Sequence, residues 1–345
     1  MRAPKSITIV GGGLAGLTLG IGLRRRGISV SIWESGHYPR HRVCGEFISG
    51  NGSVVLERLG LRELFKNAGA IEASTAQFIA GQNRSPVREL PGRAICLSRY
   101  VMDDLLAKEF QRLDGDLREN ARWNLSETEG VVHAGGRRPR AVERGWRWFG
   151  LKIHARGIAL AADLEMHISQ SGYVGVNRIN DDEVNVCGLF RARPGEVQPE
   201  SRFERLRGEP GSALRERLAS AEFDECSFCA VAGLFLEPQS AAEKEIVCIG
   251  DALTMIPPVT GNGMSMAFES AEIALAPLSA FGRGEMSWPE ARKKIASDCD
   301  TAFAQRLIWA RRLQCLMFSP LLRSRAGAVL LNSEMLWRLM FTKTR

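Results

Sequence analysis

Gly11-Gly12-Gly13-Leu14-Ala15-Gly16 has the spacing GxGxxG. Gly11 permits a tight turn, Gly13 lets backbone approach a pyrophosphate, and Gly16 lets a helix pack closely on a strand. Leu14 and Ala15 then lie in the first turn of that helix, whose free N–H groups attract anions. Glu34 follows 18 residues after Gly16, at the end of the next apolar run, where a carboxylate can accept hydrogen bonds from ribose hydroxyls. These residues point to dinucleotide binding.

To position them the chain must form strand, turn, helix and strand across residues 6–34. Ile7, Ile9 and Val10 are β-rich, and Leu14, Leu17, Leu19, Ile21 and Leu23 supply the helix's apolar positions. Arg24, Arg25 and Arg26 followed by Gly27 suit the negative end of that helix and its termination, a structural use of a basic run. A long middle stretch carries strand patterns at 75–81, 146–155, 163–169, 172–179 and 183–192, with Asn180-Asp181-Asp182 as the turn between the last two. The expectation is a mostly antiparallel sheet inserted in a nucleotide-binding chain. Residues 245–249 read as a buried strand ending at Gly250-Asp251, residues 263–275 as a helix, and the chain beyond Trp288 as helices.

Two distant motifs together resemble the flavoprotein superfamily of group A monooxygenases, with the para-hydroxybenzoate hydroxylase fold, and within it the geranylgeranyl-reductase-like branch. One is the N-terminal glycine turn with Glu34. The other is Gly250-Asp251-Ala252 with Pro257-Pro258-Val259-Thr260-Gly261-Asn262-Gly263-Met264 and Ala267. The resemblance runs from the start to about residue 280. It implies an α/β Rossmann-type FAD-binding domain (1–70, 96–140, 241–285), interleaved with an antiparallel-sheet substrate domain (71–95, 141–240) and followed by C-terminal helices (286–345). It also implies FAD rather than NAD. Gly250 and Asp251 would meet the ribitol, and the amides of Gly261, Asn262, Gly263 and Met264 would face the pyrimidine edge of the isoalloxazine, stabilising negative charge there.

His41-Arg42-Val43-Cys44-Gly45-Glu46-Phe47 corresponds to the Cys-Gly segment of that branch. Cys44 would face the flavin as proton relay or modulator, unless it is a small residue that merely fits. Arg42 would lie near the pyrophosphate. Glu46 is an acid/base candidate whose plain alternative is a solvated loop carboxylate. Arg99 matches an arginine at the entry to a long helix beside the cofactor. Gly135 stands where group A hydroxylases carry the Asp of an Asp-Gly motif, a departure that bears on direct NAD(P)H-driven hydroxylation.

Other features have plainer readings. Trp146-Arg147-Trp148 lacks the Ile-Pro of the flavin halogenase motif and reads as strand packing. Asp163, Glu165 and His167 share one strand face, read as a solvent-facing edge. Cys226-Ser227-Phe228-Cys229 is a lone CxxC, read as small residues in a strand. None of the five histidines has metal-ligand spacing, so no metal site is expected.

Eight scattered cysteines and the lack of a secretory pattern suggest a reduced, cytoplasmic setting, and no apolar run suggests a membrane span. The 345 residues are 45% hydrophobic and 25% charged with 14 prolines, which excludes a disordered or fibrous chain. Glycine, at 35 residues, is enriched and concentrated in the ligand-loop candidates.

The expected activity is FAD-dependent oxidoreduction of an apolar or aromatic substrate, isoprenoid or polyketide-like, by reduction or oxidation of a C–C bond or by flavin-hydroperoxide oxygenation. A non-catalytic flavin electron-transfer protein is the alternative. Expected pocket walls are Val174-Gly175-Val176, residues 186–190, Met264 and Met266. No second GxGxxG is visible for a nicotinamide cofactor, which leaves room for a separate electron donor: NAD(P)H, a flavin reductase or a ferredoxin.

The net charge of +7 gives no reason to expect nucleic acid. Residues 306–345 hold eight Lys and Arg against Glu334 alone, which equals the whole surplus. That tail is also rich in Leu, Met, Trp and Phe, which suits either helices that close the cavity or peripheral contact with an anionic membrane.

Overall fold

The computed structural model describes residues 5–124, 126, 128–137, 139, 142–196 and 202–344. The first part of the chain runs β1 (Ile7–Val10), α1 (Leu14–Arg24), β2 (Val30–Trp33), β3 (Phe47–Ile48), α2 (Asn51–Arg58) and α3 (Arg62–Asn67). Then come β4 (Ile71–Ala80), β5 (Asn83–Arg84), β6 (Arg88–Cys96), α4 (Arg99–Arg112), β7 (Asp116–Arg118) and β8 (Val131–His133). The middle holds β9 (Arg147–Arg156), β10 (Leu164–Ile168), β11 (Gly172–Arg178), β12 (Val184–Ala192), α5 (Arg202–Arg207), α6 (Ala213–Arg217) and β13 (Glu222–Ala232). The chain closes with β14 (Val247–Cys248), α7 (Gly263–Gly282), α8 (Trp288–Met317), α9 (Arg325–Asn332) and α10 (Glu334–Thr344).

Five strands form a parallel sheet in the order β14-β8-β1-β2-β7. Apolar residues of α1 and α7 bury against it, including Leu17, Leu19, Ile21, Phe268 and Leu275. This is the doubly-wound arrangement that places a nucleotide at the carboxyl ends of the strands. Gly16 is obligatory here, because a Cβ would collide with the Gly11 carbonyl oxygen. Gly16→Ala is therefore expected to remove most soluble, folded protein, read as yield of flavin-bound monomer by size exclusion.

The second sheet, β13-β9-β12-β11-β10-β4-β6-β3 with β5 paired to β4 as its ninth strand, is antiparallel except where β10 pairs β4 in parallel. Its outer face buries Leu151, Ile153, Val174, Val176 and Val186 with α5 and α6. Its inner face buries Phe78, Met166, Tyr173 and Leu189 with Phe318, Trp337 and Phe341 of the C-terminal helices.

This corrects two expectations. Of the expected pocket walls, Val174, Val176, Val186 and Phe190 belong to the outer layer, because strand residues alternate faces, and Met264 and Met266 pack into the core of the first sheet. Asp163, Glu165 and His167 are not a solvent-facing edge: β10 lies inside the sheet, and Glu165 is fully buried beside His167 and Arg217. The polar run misled because α6 covers this face and supplies the arginine that neutralises it.

Cys226 and Cys229 do lie in a strand, at an irregularity of β13. Trp148 packs edge-on against Phe318. The helices are longer than sequence periodicity indicated, with α7 reaching Gly282, while β14 keeps only two residues of the expected strand.

The tail's charge is only partly superficial. Arg306 is buried and pairs with both oxygens of Glu269 at 2.6 and 3.0 Å, and Arg311 faces Glu237 at 3.4 Å.

Candidate functional site

Five loops meet at the carboxyl ends of the parallel strands. The first is the glycine turn. Gly11 has φ +107° and lies so close to the 134–136 turn that a Cβ would stand 2.5 Å from Gly135. Gly13 is the N-cap of α1, and no side chain caps that end, so the first-turn amides around Leu14, Ala15 and Gly16 remain for an anion.

Glu34 is buried, accepts from Gly12 N at 2.9 Å and Gly36 N at 2.8 Å, and pairs with Arg40 at 2.5 Å. Burial pulls its carboxyl up, but Arg40, the Gly36 amide and Arg42 outweigh that and hold it below the ordinary value. It is a fixed, ionised acceptor.

Arg42 lies 3.7 Å from Glu34 and 3.4 Å from Asp103, and its Nε makes no hydrogen bond. Arg137 likewise has a buried Nε without a partner. Burial lowers the pKa of both guanidiniums. For Arg42 the charge of Arg99 adds to it, and for Arg137 that of Arg42 does.

Asp251 carries the opposite stress. Its carboxyl is raised by burial against the pull of Arg137 and Arg99, yet the residue is open to solvent. Together these describe a deep recess. Cβ atoms on Gly13, Gly45, Gly136 and Gly263 would meet nothing within 4 Å, so glycines line its open side.

The recess fits FAD. Two half-buried cations with orphaned Nε donors suit a pyrophosphate, Asp251 and Glu34 suit hydroxyl groups, and two uncapped helix starts suit anionic ends. The second of those starts is α7, whose N-cap Asn262 makes no capping bond; its amide is committed instead to the carbonyl of Thr344. Gly261 takes φ +65°, which turns the chain into this helix. Gly250 takes φ +58° and its amide donates to Ser270 Oγ at 2.9 Å. Met264 is buried in the core of the first sheet.

The fifth loop, 41–46, bridges recess and sheet. Arg99 opens α4 after its Ser98 cap and binds both oxygens of Asp103 at 2.8 Å. Asp103 outweighs burial and keeps Arg99 charged. Cys44 sits beside Arg99; burial raises the thiol, so it stays protonated.

Glu46 is not a solvated loop residue. With φ +53° it turns inward, fully buried, and accepts from Arg99 N at 2.8 Å. It stands 2.7 Å from His154 Nε2 and 3.5 Å from Lys152 Nζ. Lys152 has no exposed surface and lies 3.2 Å from His41 Nδ1. Burial, then Lys152 and His154, lower the pKa of His41, which leaves its nitrogen an acceptor for the ammonium.

The inner face of the sheet is thus divided. Lys152, His154, Asn185 and Cys187 lie under the Cys44 loop, with Asn185 Nδ2 donating to the Cys44 carbonyl at 3.0 Å. Trp148, Tyr173 and Leu189 lie on the apolar side. Sequence reading missed Lys152, His154, His41, Asp103 and Arg137. The signal for the first two was present: they alternate with Leu151, Ile153 and Ala155 in a strand buried on both faces.

Comparison with known proteins agrees with this geometry. Residues 5–145 match the FAD binding domain family, and residues 210–287 match the squalene epoxidase family. A flavin-dependent brominase, Bmp2, superposes with TM-score 0.73 at 16% identity, over 97% of this chain and 92% of that one. PqsL of P. aeruginosa in complex with 2-aminobenzoylacetate gives 0.71 at 15% identity, over 94% and 99%. In sequence, the 3-amino-4-hydroxybenzoate 2-monooxygenase PtnB3 of Streptomyces platensis is 31% identical over 99 residues, covering 27% of this chain and 24% of that protein. The conditioned medium factor receptor 1 of Dictyostelium discoideum is 28% identical over 126 residues, covering 33% and 25%. The chain thus spans about a quarter of the length of these two relatives. The fold is that of FAD-dependent monooxygenases and halogenases. Residues 5–145 carry the match to the FAD binding domain family, and the cofactor that goes with it is FAD.

Proposed function

We propose that this chain is an FAD-dependent, monooxygenase-type oxidoreductase acting on an apolar or aromatic small molecule, held between the flavin and the inner face of the nine-stranded sheet. One observation carries the reading. Phe47, next to the Cys44–Glu46 loop, and Val259, in the loop before α7, share one apolar cluster with Tyr173 and Leu189 of the sheet. The loops around the recess and the substrate sheet therefore meet on one apolar layer. PtnB3 and PqsL are named with aromatic molecules, and the squalene epoxidase match supports an isoprenoid equally.

Bound FAD supplies two-electron redox chemistry and access to oxygen. The chain does the rest. Leu14, Ala15 and Gly16 amides with Arg42 and Arg137 would hold the pyrophosphate, Glu34 would accept from the ribose, and Asp251 would accept from the ribitol. The start of α7 favours negative charge at the ring. The apolar cluster excludes water.

A second reading, reduction of a C–C double bond, rests on the Cys44 thiol beside Arg99, which burial keeps protonated and which would then serve as the proton donor. Oxygen separates the two. Product formed by reduced protein in strict anaerobiosis supports reduction, and product formed only with oxygen supports oxygenation. Under the reductive reading Cys44→Ala lowers kcat at least tenfold with KM little changed; under oxygenation kcat stays within a few-fold. Turnover of small polar acids alone, or electron exchange with a partner and no substrate conversion, overturns the proposal.

The electron donor is NAD(P)H, a flavin reductase or a ferredoxin, and the absence of an acid at Gly135 favours a separate reductase. No described helix is long and apolar enough to cross a membrane. Peripheral contact is a further part of the proposal, supported by Leu321, Val329, Met335, Leu336 and Leu339, all exposed on the C-terminal segment beside Arg325 and Lys343. Flotation with anionic vesicles should fall at least tenfold in a Val329→Ser/Met335→Ser variant. Equal flotation removes this part.

A further inference from the structure

An apolar cavity of about 210 Å³ lies among the C-terminal helices, away from the flavin loops. Its walls include Phe78 of β4, Trp309 and Leu316 of α8, Leu330 of α9, and Trp337 and Met340 of α10. None of its lining residues belongs to the glycine turn, the 41–46 loop or the 250–263 segment. Apolar cavities near this size stay dry and take up hydrocarbon.

Three features say what occupies it. Leu336 and Leu339 line the cavity and are also exposed, so its mouth continues into the apolar surface made with Val329 and Met335. Arg312 also lines the cavity, lies over the Trp309 ring at 5.0 Å, and is exposed, with no carboxylate partner among the described residues. The only acid of residues 306–345, Glu334, is already held by Arg88 at 3.1 Å and Arg338 at 2.9 Å. The mouth is thus apolar with uncompensated positive charge, which complements an anionic head on a hydrocarbon tail.

We propose that the cavity between α8, α9, α10 and β4 is a binding site for a single-chain anionic amphiphile of the fatty-acid type, its chain among Trp309, Leu316, Leu330 and Trp337 and its head at Arg312. This goes beyond the flavin chemistry and does not depend on it. The cavity is tied to the flavin loops at one point, where Asn262 donates to the carbonyl of Thr344, a residue that also lines the cavity.

Trp309 and Trp337 report on the site directly. Titrating the FAD-loaded protein with 9,10-dibromostearate below its micelle concentration should quench tryptophan emission saturably, with stearate competing. The cavity-filling pair Leu316→Phe/Leu330→Phe should raise the half-saturating concentration at least tenfold while FAD content is unchanged. Because repacking the interior can disturb folding, the exposed pair Leu336→Ser/Leu339→Ser is the second variant, with the same expectation. Arg312→Gln should weaken the acid at least fivefold and leave the matching brominated alcohol unaffected. Vesicles of phosphatidylglycerol with brominated chains give the other source of the same chemistry. Quenching by them that persists in the filled variant is surface adsorption and overturns the site. Absence of saturable quenching by the free acid overturns it too, and equal affinity for acid and alcohol overturns the anionic head. Failure of the oxidoreductase reading would leave every one of these readouts unchanged.

Discussion

Glu46→Gln is expected to destabilise the protein by about 3–5 kcal/mol, the usual result of breaking a buried ion pair from one side. Glu46 and Lys152 both have no exposed surface, and Glu46 is the one carboxylate within ion-pairing distance of that ammonium among the described residues. The amide preserves shape and can still accept from the Arg99 N–H, but its nitrogen then replaces the oxygen beside His154 Nε2, so the charge and that contact are lost together. Lys152 would keep only the ring nitrogen of His41 at 3.2 Å. The single variant leaves a cation desolvated and unpaired, which costs far more than the pair itself contributes. Glu46→Gln combined with Lys152→Met should therefore recover most of the loss. Urea denaturation of the four proteins of this cycle measures it. A Glu46→Gln midpoint equal to wild type would mean that the carboxylate does not compensate Lys152.

This cluster also shows where sequence reading stops. GGGLAG with Glu34, and Gly250-Asp251 with the Pro257–Met264 loop, were legible because backbone demands spell them locally: positive φ at Gly11, Gly250 and Gly261, and a helix starting at each loop. The strands of the middle sheet were legible from alternation. The partners of Glu46 were not. Lys152 and His154 lie more than a hundred residues away, brought beneath the loop by β9 crossing the sheet. Sequence gave Glu46 as a loop residue, and only its inward turn at φ +53° makes it internal. Asp163, Glu165 and His167 failed for the same reason in reverse. Their alternation was read correctly, but which face water reaches depends on α6 and Arg217, some fifty residues further on.

Arg137→Met separates a ligand-binding role from a structural one, because the two move stability in opposite directions. Burial works against the Arg137 charge, Arg42 adds repulsion, only Asp251 attracts it, and its Nε has no partner. A group so placed costs stability in the free protein. The variant, which keeps the apolar stem and removes the charge, should leave apo-protein stability unchanged or raised by up to about 1 kcal/mol. Its FAD affinity should fall by about 30- to 300-fold, roughly 2–3.5 kcal/mol, the range for losing a buried charge-assisted contact to an anion. Asp251 adds a sign that can be checked. Its carboxyl is raised in the folded state, so the folded apo-protein binds the proton more tightly than the unfolded chain. Its contribution is therefore most favourable below the unfolded value and is lost as pH rises through the folded one. Removing Arg137, which pulls that carboxyl down, moves it further up and extends the loss to higher pH. Because solvent reaches Asp251 and screens this effect, apo melts from pH 4 to 7 should decline only slightly more steeply in Arg137→Met than in wild type, while titration of FAD fluorescence reports the weaker cofactor binding. A variant that melts lower at every pH yet binds FAD normally would make Arg137 a scaffold residue and leave the pyrophosphate to Arg42 and the start of α1.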